Sequence, residues 1–134
     1  MVINTIKHAR LVPVVTVELD DTAVAVAKKL HCFQERRIFV VNKKKFPIGI
    51  ISIVDINDRV VAKGKNPKNT KAKEIMSYPI KLVLDVNTPL EEAKKMMIHN
   101  NNYYVPVVEK GKLKGLLNYS AVSGVIKKEH EKKS

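Results

Sequence analysis

Apolar residues come in short blocks along this chain, and the spacing within each block changes from one to the next. Residues 14–18 (VVTVE) are short and β-branched, the pattern of a strand. A stretch over 23–34 follows, opened by Asp21 or Thr22, with Val24, Ala27, Leu30 and Phe33 near helical spacing. Strands are then predicted over 37–42 and 47–52, joined by a Lys43-Lys44-Lys45 hairpin, and a helix over about 53–63. The series then repeats. Thr88-Pro89 reads as a helix cap followed by proline at the first helical position, with Leu90, Ala93, Met97 and Ile98 as the buried stripe. Strands over 103–108 and 113–118 flank a turn at Lys110-Gly111-Lys112, and a last helix is predicted over 119–130.

The repeat has a period of 66 residues. Pro13 meets Pro79, Val17 meets Val83, Thr22 meets Thr88, and Ala27-Lys28-Lys29 meets Ala93-Lys94-Lys95. Gly49-Ile50-Ile51 meets Gly115-Leu116-Leu117, after a shorter loop and a longer hairpin have cancelled in register. The expected organisation is therefore one β-α-β-β-α unit at 7–63, a polar Gly- and Pro-containing linker at 64–71, a second unit at 72–128, and a charged tail at 129–134. A unit of about 60 residues is marginal for independent folding, so the two copies are expected to pack on each other and share a core. Two halves related in this way leave clefts at their junction, which are favoured ligand sites.

Composition narrows the classes. A length of 134 residues with 45% hydrophobic content supports a folded core. The single cysteine, Cys32, excludes an intrachain disulfide and a cysteine-based zinc site, and its default reading is a small buried hydrophobe. No segment approaches the roughly 18 apolar residues of a spanning helix, and the MVINTIKHAR opening lacks the apolar run of a secretory signal. The expectation is a cytoplasmic protein with no membrane partner. The net charge of +12 comes from 21 Lys and only 4 Arg, and lysine is a hydrated point charge poorly suited to bidentate phosphate or base contacts. Lys63, Lys65, Lys68, Lys71 and Lys73, with Lys43 to Lys45 and the tail lysines Lys127, Lys128, Lys132 and Lys133, leave a nucleic-acid-binding protein with Lys-rich loops as the alternative function. No aromatic-interleaved groove or recognition-helix pattern accompanies them. His8, His31, His99 and His130 lack metal-ligand spacing, no carboxylate pair marks an acid/base couple, and no phosphate loop is present, so the chain reads as no enzyme.

The run Gly49-Ile50-Ile51-Ser52-Ile53-Val54-Asp55-Ile56 resembles the strand-to-helix phrase of the CBS domain. The Ile75-Met76-Ser77-Tyr78-Pro79-Ile80 opening is similar to that family's, as are Val105-Pro106-Val107-Val108 and the return Lys112-Leu113-Lys114-Gly115-Leu116-Leu117. Together the two copies look like one CBS pair, or Bateman module, over about residues 7–128. The resemblance implies an α/β (α+β) fold of two tandem β-α-β-β-α units packed through their sheets about a pseudo-two-fold axis. It also implies a regulatory rather than catalytic role, an adenosine-containing ligand (AMP, ADP, ATP, S-adenosylmethionine, sometimes NAD), and a homodimer acting on a separate regulated protein.

The family's ligand motif, glycine, two apolar residues, Ser or Thr, two more residues and Asp, is met by Gly49, Ser52 and Asp55. A carboxylate can accept hydrogen bonds from both ribose hydroxyls, and Ser52 at a helix start can meet a ribose or phosphate oxygen. Ser52-x-x-Asp55 is equally a capping pattern. In the second copy Asn118 still caps where Ser52 stands, whereas Ala121 replaces Asp55, so the ribose carboxylate is expected in one copy only. Arg36 and Arg37 occupy the family's phosphate-contact place and are also readable as a solvated pair at a helix end. Tyr103 and Tyr104, their counterparts, read as half-buried strand residues or as stacking surfaces for a purine. By the same resemblance Ile50, Tyr78, Pro79 and Ile80 are expected to line the base cleft. Phe39 stands where the family usually has proline, which alters the shape of that half of the cleft.

Overall fold

The computed structural model describes residues 4–122, which form two compact units. One is Val14–Ile80; the other combines residues 4–13 with 81–122. The 66-residue repeats and the spatial units are thus cut at different points. The segment before each repeat's first strand belongs with the opposite copy's sheet.

In the Val14–Ile80 unit, β1 (Thr16–Glu18) runs parallel to β2 (Arg37–Val41), which pairs antiparallel with β3 (Pro47–Ser52). β2 is the central strand, and Ile38 to Val41 are all buried, as a strand covered on both faces requires. β3 alternates between buried and half-buried positions. The hairpin between them turns on Asn42, whose Oδ1 accepts from the N–H groups of Lys44 and Phe46, with Lys45 at φ 67°. Helix α1 (Ala23–Cys32) crosses from β1 to β2. Helix α2 starts at Ile53 and widens into a π-helical stretch over Ile56–Val61, where the Ala62 N–H reaches the Asn57 carbonyl five residues back. A short helix, α3 (Ala72–Ile75), closes the unit.

The second unit repeats the plan. β4 (Leu84–Asp85) runs parallel to β5 (Tyr104–Glu109), β5 antiparallel to β6 (Lys112–Asn118), and α4 (Leu90–His99) makes the crossover. A helical turn opens at residue 119 and continues to 122, so most of the helix expected over 119–130 lies outside the described residues.

Each unit has a core of its own. The first gathers Val17, Val26, Leu30, Ile38, Val40, Ile51 and Val60 under Ala72 and Ile75. The second gathers Leu84, Leu90, Ala93, Met97, Val105, Val107 and Leu117 with Ile6. The segments 70–80 and 4–13 supply the missing cover. They also supply caps: the first N–H of α1 (Ala23) donates to the Thr70 carbonyl at 2.7 Å, and that of α4 (Leu90) to the Asn4 carbonyl at 2.9 Å. Residues 64–71, polar enough to read as linker, therefore include a buried Thr70 and helix-capping backbone.

Several local expectations shift. Thr22 caps α1 by accepting from the Ala25 N–H, but Thr88 does not cap α4; Pro89 holds the N-cap position and the Asn4 carbonyl serves instead. The buried stripe of α1 is Ala23, Val26 and Leu30, and Phe33 is 59% exposed. The helix ends at Cys32 and the chain reverses at Gln34 (φ 54°), so the helical step from Leu30 to Phe33 no longer holds. Cys32 is exposed rather than buried. In α4, Met97 takes the core position at the last turn and leaves Ile98 half exposed.

Candidate functional site

Strand β3 ends at Ser52, where extended backbone (φ −110°, ψ 169°) hands over directly to α2. Ser52 caps this helix. Its N–H donates to Asp55 Oδ2 at 2.8 Å, its hydroxyl lies 3.1 Å from the same oxygen, and the Asp55 N–H donates back to Ser52 Oγ at 3.2 Å. Asn118 plays the capping part in the second unit, its Oδ1 accepting from the Ser120 N–H at 3.1 Å. Ala121 offers no carboxylate there.

A cleft of about 690 Å³ opens beside this junction, lined by Arg36, Arg37, Ile50, Ser52, Ile53, Val54, Asp55 and Ser77. Five of the sequence-predicted residues (Arg36, Arg37, Ile50, Ser52 and Asp55) are thus brought together. β-Pairing explains why: Arg37 stands opposite Ser52, and the Ile53 N–H donates to the Arg36 carbonyl at 3.0 Å. Both arginines are exposed, and neither forms an ion pair among the described residues. The cleft lining therefore carries one carboxylate, Asp55, and two guanidinium groups, those of Arg36 and Arg37.

The remaining predicted residues lie elsewhere. Tyr78 is 70% exposed, Pro79 follows it across a cis peptide bond, and Ile80 is half-buried; these three belong to the same unit but do not line the cleft. Tyr103 and Tyr104 belong to the other unit. There Tyr103 packs edge-on against Tyr119 at 5.5 Å between ring centroids, and Tyr104 opens β5 opposite Asn118. Phe39, in place of the family's proline, is buried in the middle of β2 and pairs with Ile50.

Two participants escaped the sequence reading. Ser77 forms one wall through reciprocal backbone bonds with Ile50, 3.0 Å and 2.9 Å long. Gly49 allows this approach, because a Cβ there would meet Met76 Sδ at 2.5 Å. Arg59, one helical turn beyond Asp55, places Nε 3.5 Å from Asp55 Oδ1. Its other nitrogens donate to the carbonyls of Ile75 (3.1 Å) and Met76 (3.2 Å) and reach Ser77 Oγ at 3.5 Å. The i,i+4 spacing of Asp55 and Arg59 was a readable signal; the contacts to 75–77 had none.

Of the lysines that suggested a polyanion partner, Lys71 and Lys73 are engaged by Asp20 at 3.5 Å and 3.1 Å, while Lys63, Lys65 and Lys68 are exposed. Among the described residues no group of His, Cys, Asp and Glu is placed to hold a metal ion, and no helix is long and apolar enough to cross a membrane.

Comparison with known proteins agrees with this architecture. An uncharacterized protein of Methanopyrus kandleri is 35% identical over 105 residues, covering 78% of this chain and 53% of that protein. The CBS domain-containing protein CBSCBSPB2 of Arabidopsis thaliana is 25% identical over 125 residues, covering 90% of this chain and 23% of its own length. The chain thus spans about half or less of these relatives. Among solved structures, Hypoxic Response Protein I with two coordinated zinc ions matches with a TM-score of 0.70 at 20% identity, over 90% of this chain and 97% of that one. CBSX2 in complex with AMP matches with a TM-score of 0.68 at 19% identity, over 92% and 96%. Residues 7–62 and 72–128 each match the CBS domain, and the chain belongs to the CBS-domain family as a tandem pair.

Proposed function

We propose that the cleft at Ser52 and Asp55 binds an adenosine-containing ligand, AMP, ADP, ATP or S-adenosylmethionine, and that this binding regulates a separate partner protein or the chain's own assembly as a homodimer. One observation carries the reading: the Asp55 carboxylate, the guanidinium groups of Arg36 and Arg37, which form no ion pair among the described residues, and the apolar Ile50 line the same cleft. A ribose needs an acceptor for its hydroxyls, a phosphate needs cations, and a base needs an apolar surface. The AMP complex of a structural relative supports the same class of ligand. On this reading the ligand is a signal and no bond is made or broken in it, so the protein acts as a sensor and not as an enzyme.

A thermal-shift panel of AMP, ADP, ATP, NAD and S-adenosylmethionine tests the proposal. A ligand at about 100 times its dissociation constant stabilises the folded chain by roughly 2.7 kcal/mol, a melting shift of several degrees. Indifference to all five, together with tight salt-sensitive binding of RNA or DNA, would instead favour the lysine-rich loops as the working surface.

A further inference from the structure

Both oxygens of the Asp55 carboxylate already have protein partners: Oδ2 holds Ser52, and Oδ1 faces Arg59. The contact with Arg59 is the longest, 3.5 Å against 2.8 Å for the Ser52 N–H. A ribose hydroxyl donating to Asp55 therefore competes first with Arg59. The same guanidinium holds the backbone carbonyls of Ile75 and Met76. Those residues lead through Ser77, the cleft wall paired with Ile50, to Ile80, where the chain leaves this unit.

We propose that Arg59 is the positioning residue through which occupancy of the Asp55 cleft is passed to residues 75–80. The inference rests on the nucleotide-site reading above and adds how that site is read out. Arg59 ties α2 to the 75–77 segment, with an ion pair to Asp55 at 3.5 Å at one end and two bonds to carbonyls at the other. A ribose on Asp55 Oδ1 removes the first tie and with it the geometry that aims the guanidinium at both carbonyls. The segment that joins the two units then loses this tie and keeps its reciprocal bonds to Ile50 and the packing of Ile75 in the core. A ligand moves an equilibrium only through contacts that differ between its states, and Arg59 supplies such a difference.

Amide hydrogen exchange at Ser77 and Ile50, measured with and without saturating AMP, tests this alongside calorimetric AMP binding. In the wild type, AMP should accelerate exchange at these amides by about fivefold or more, the lower end of usual coupling factors. In Arg59→Gln exchange should be fast already and unchanged by AMP. Arg59→Lys keeps a charge but has a single nitrogen, so it cannot face Asp55 from one nitrogen while another holds the two carbonyls, and it should behave like Arg59→Gln at Ser77; it retains the aliphatic stem if the glutamine variant folds poorly. Wild-type AMP binding that is lost in Asp55→Asn, with Ser77 exchange indifferent to AMP or to Arg59→Gln, would overturn the coupling and leave the site intact. Absence of binding of AMP, ADP, ATP, NAD and S-adenosylmethionine alike to the wild type would overturn both.

Discussion

Ser52 and Asp55 hold each other reciprocally: the Ser52 N–H donates to Asp55 Oδ2 at 2.8 Å, and the Asp55 N–H donates to Ser52 Oγ at 3.2 Å. The proposed ligand role would give this capping carboxylate a second duty, and substitutions can separate the two. Asp55→Asn keeps an oxygen for the Ser52 N–H but loses the charge and an acceptor, so it should be destabilised less than Asp55→Ala. Its nucleotide affinity should still fall about ten- to a hundredfold, the worth of a hydrogen bond to a charged group. Ser52→Ala should show the converse, a stability loss of about 1 kcal/mol typical of a removed cap with a smaller effect on binding. Denaturation and calorimetry on the three variants decide it. Equal affinity in Asp55→Asn and wild type would reduce Asp55 to a cap.

The Ser52-x-x-Asp55 cap was legible because it uses neighbouring residues and fixed helical geometry. Strand order and the two-fold repetition were legible for the same reason, since alternation and spacing are written locally. What escaped was written in the backbone or at long range. The carbonyls of Thr70 and Asn4 cap helices from segments whose side chains say only that they are polar. Arg59 meets its carbonyl partners 16 and 17 residues away, beside the backbone bonds that join Ser77 to Ile50. The phase of α1 was misjudged at Phe33 because periodicity does not announce where a helix stops.

Arg36 and Arg37 stand exposed in the lining of the cleft that also holds Asp55. If they receive a phosphate, replacing either with alanine should weaken AMP by about tenfold or more and leave adenosine nearly unaffected. Weakening of both compounds to the same degree would place the arginines at the nucleoside or in the fold. Calorimetric titration of AMP and adenosine into each variant makes the comparison.

Asp20 titrates below its ordinary value because Lys73 hydrogen-bonds to it and lends its charge, with Lys71 adding a smaller electrostatic share. A carboxyl whose folded-state value is depressed favours the fold above the unfolded value, and that contribution fades as pH falls through the depressed one. Carbon-detected NMR titration should therefore give Asp20 a midpoint below the usual carboxyl of about 3.9. Lys73→Ala should raise it more than Lys71→Ala does. An equal response to the two variants would contradict the order of the two lysines.

Gly49 and Gly115 occupy matching places in β3 and β6, yet alanine should be tolerated differently at each. At Gly49 an added Cβ would meet Met76 Sδ at 2.5 Å, with Met76 Cγ and Cβ at 3.1 Å and 3.2 Å. A thioether chain has three rotatable bonds and can step aside, and lower chain entropy in the unfolded state returns about 0.4–1 kcal/mol. At Gly115 the added Cβ would meet Leu11 Cβ at 2.9 Å and the Val12 carbonyl oxygen at 3.0 Å. Those atoms belong to backbone or its first carbon, and the Val12 carbonyl accepts the Leu116 N–H at 2.9 Å, so relief requires the strand contact itself to move. Gly115→Ala should therefore cost about 1–3 kcal/mol, the usual range for overpacking, and Gly49→Ala clearly less. Urea denaturation of the two variants measures the difference. The reverse order would mean that Met76 is more firmly held than its flexibility suggests, making the 75–77 segment the stiffer of the two contacts.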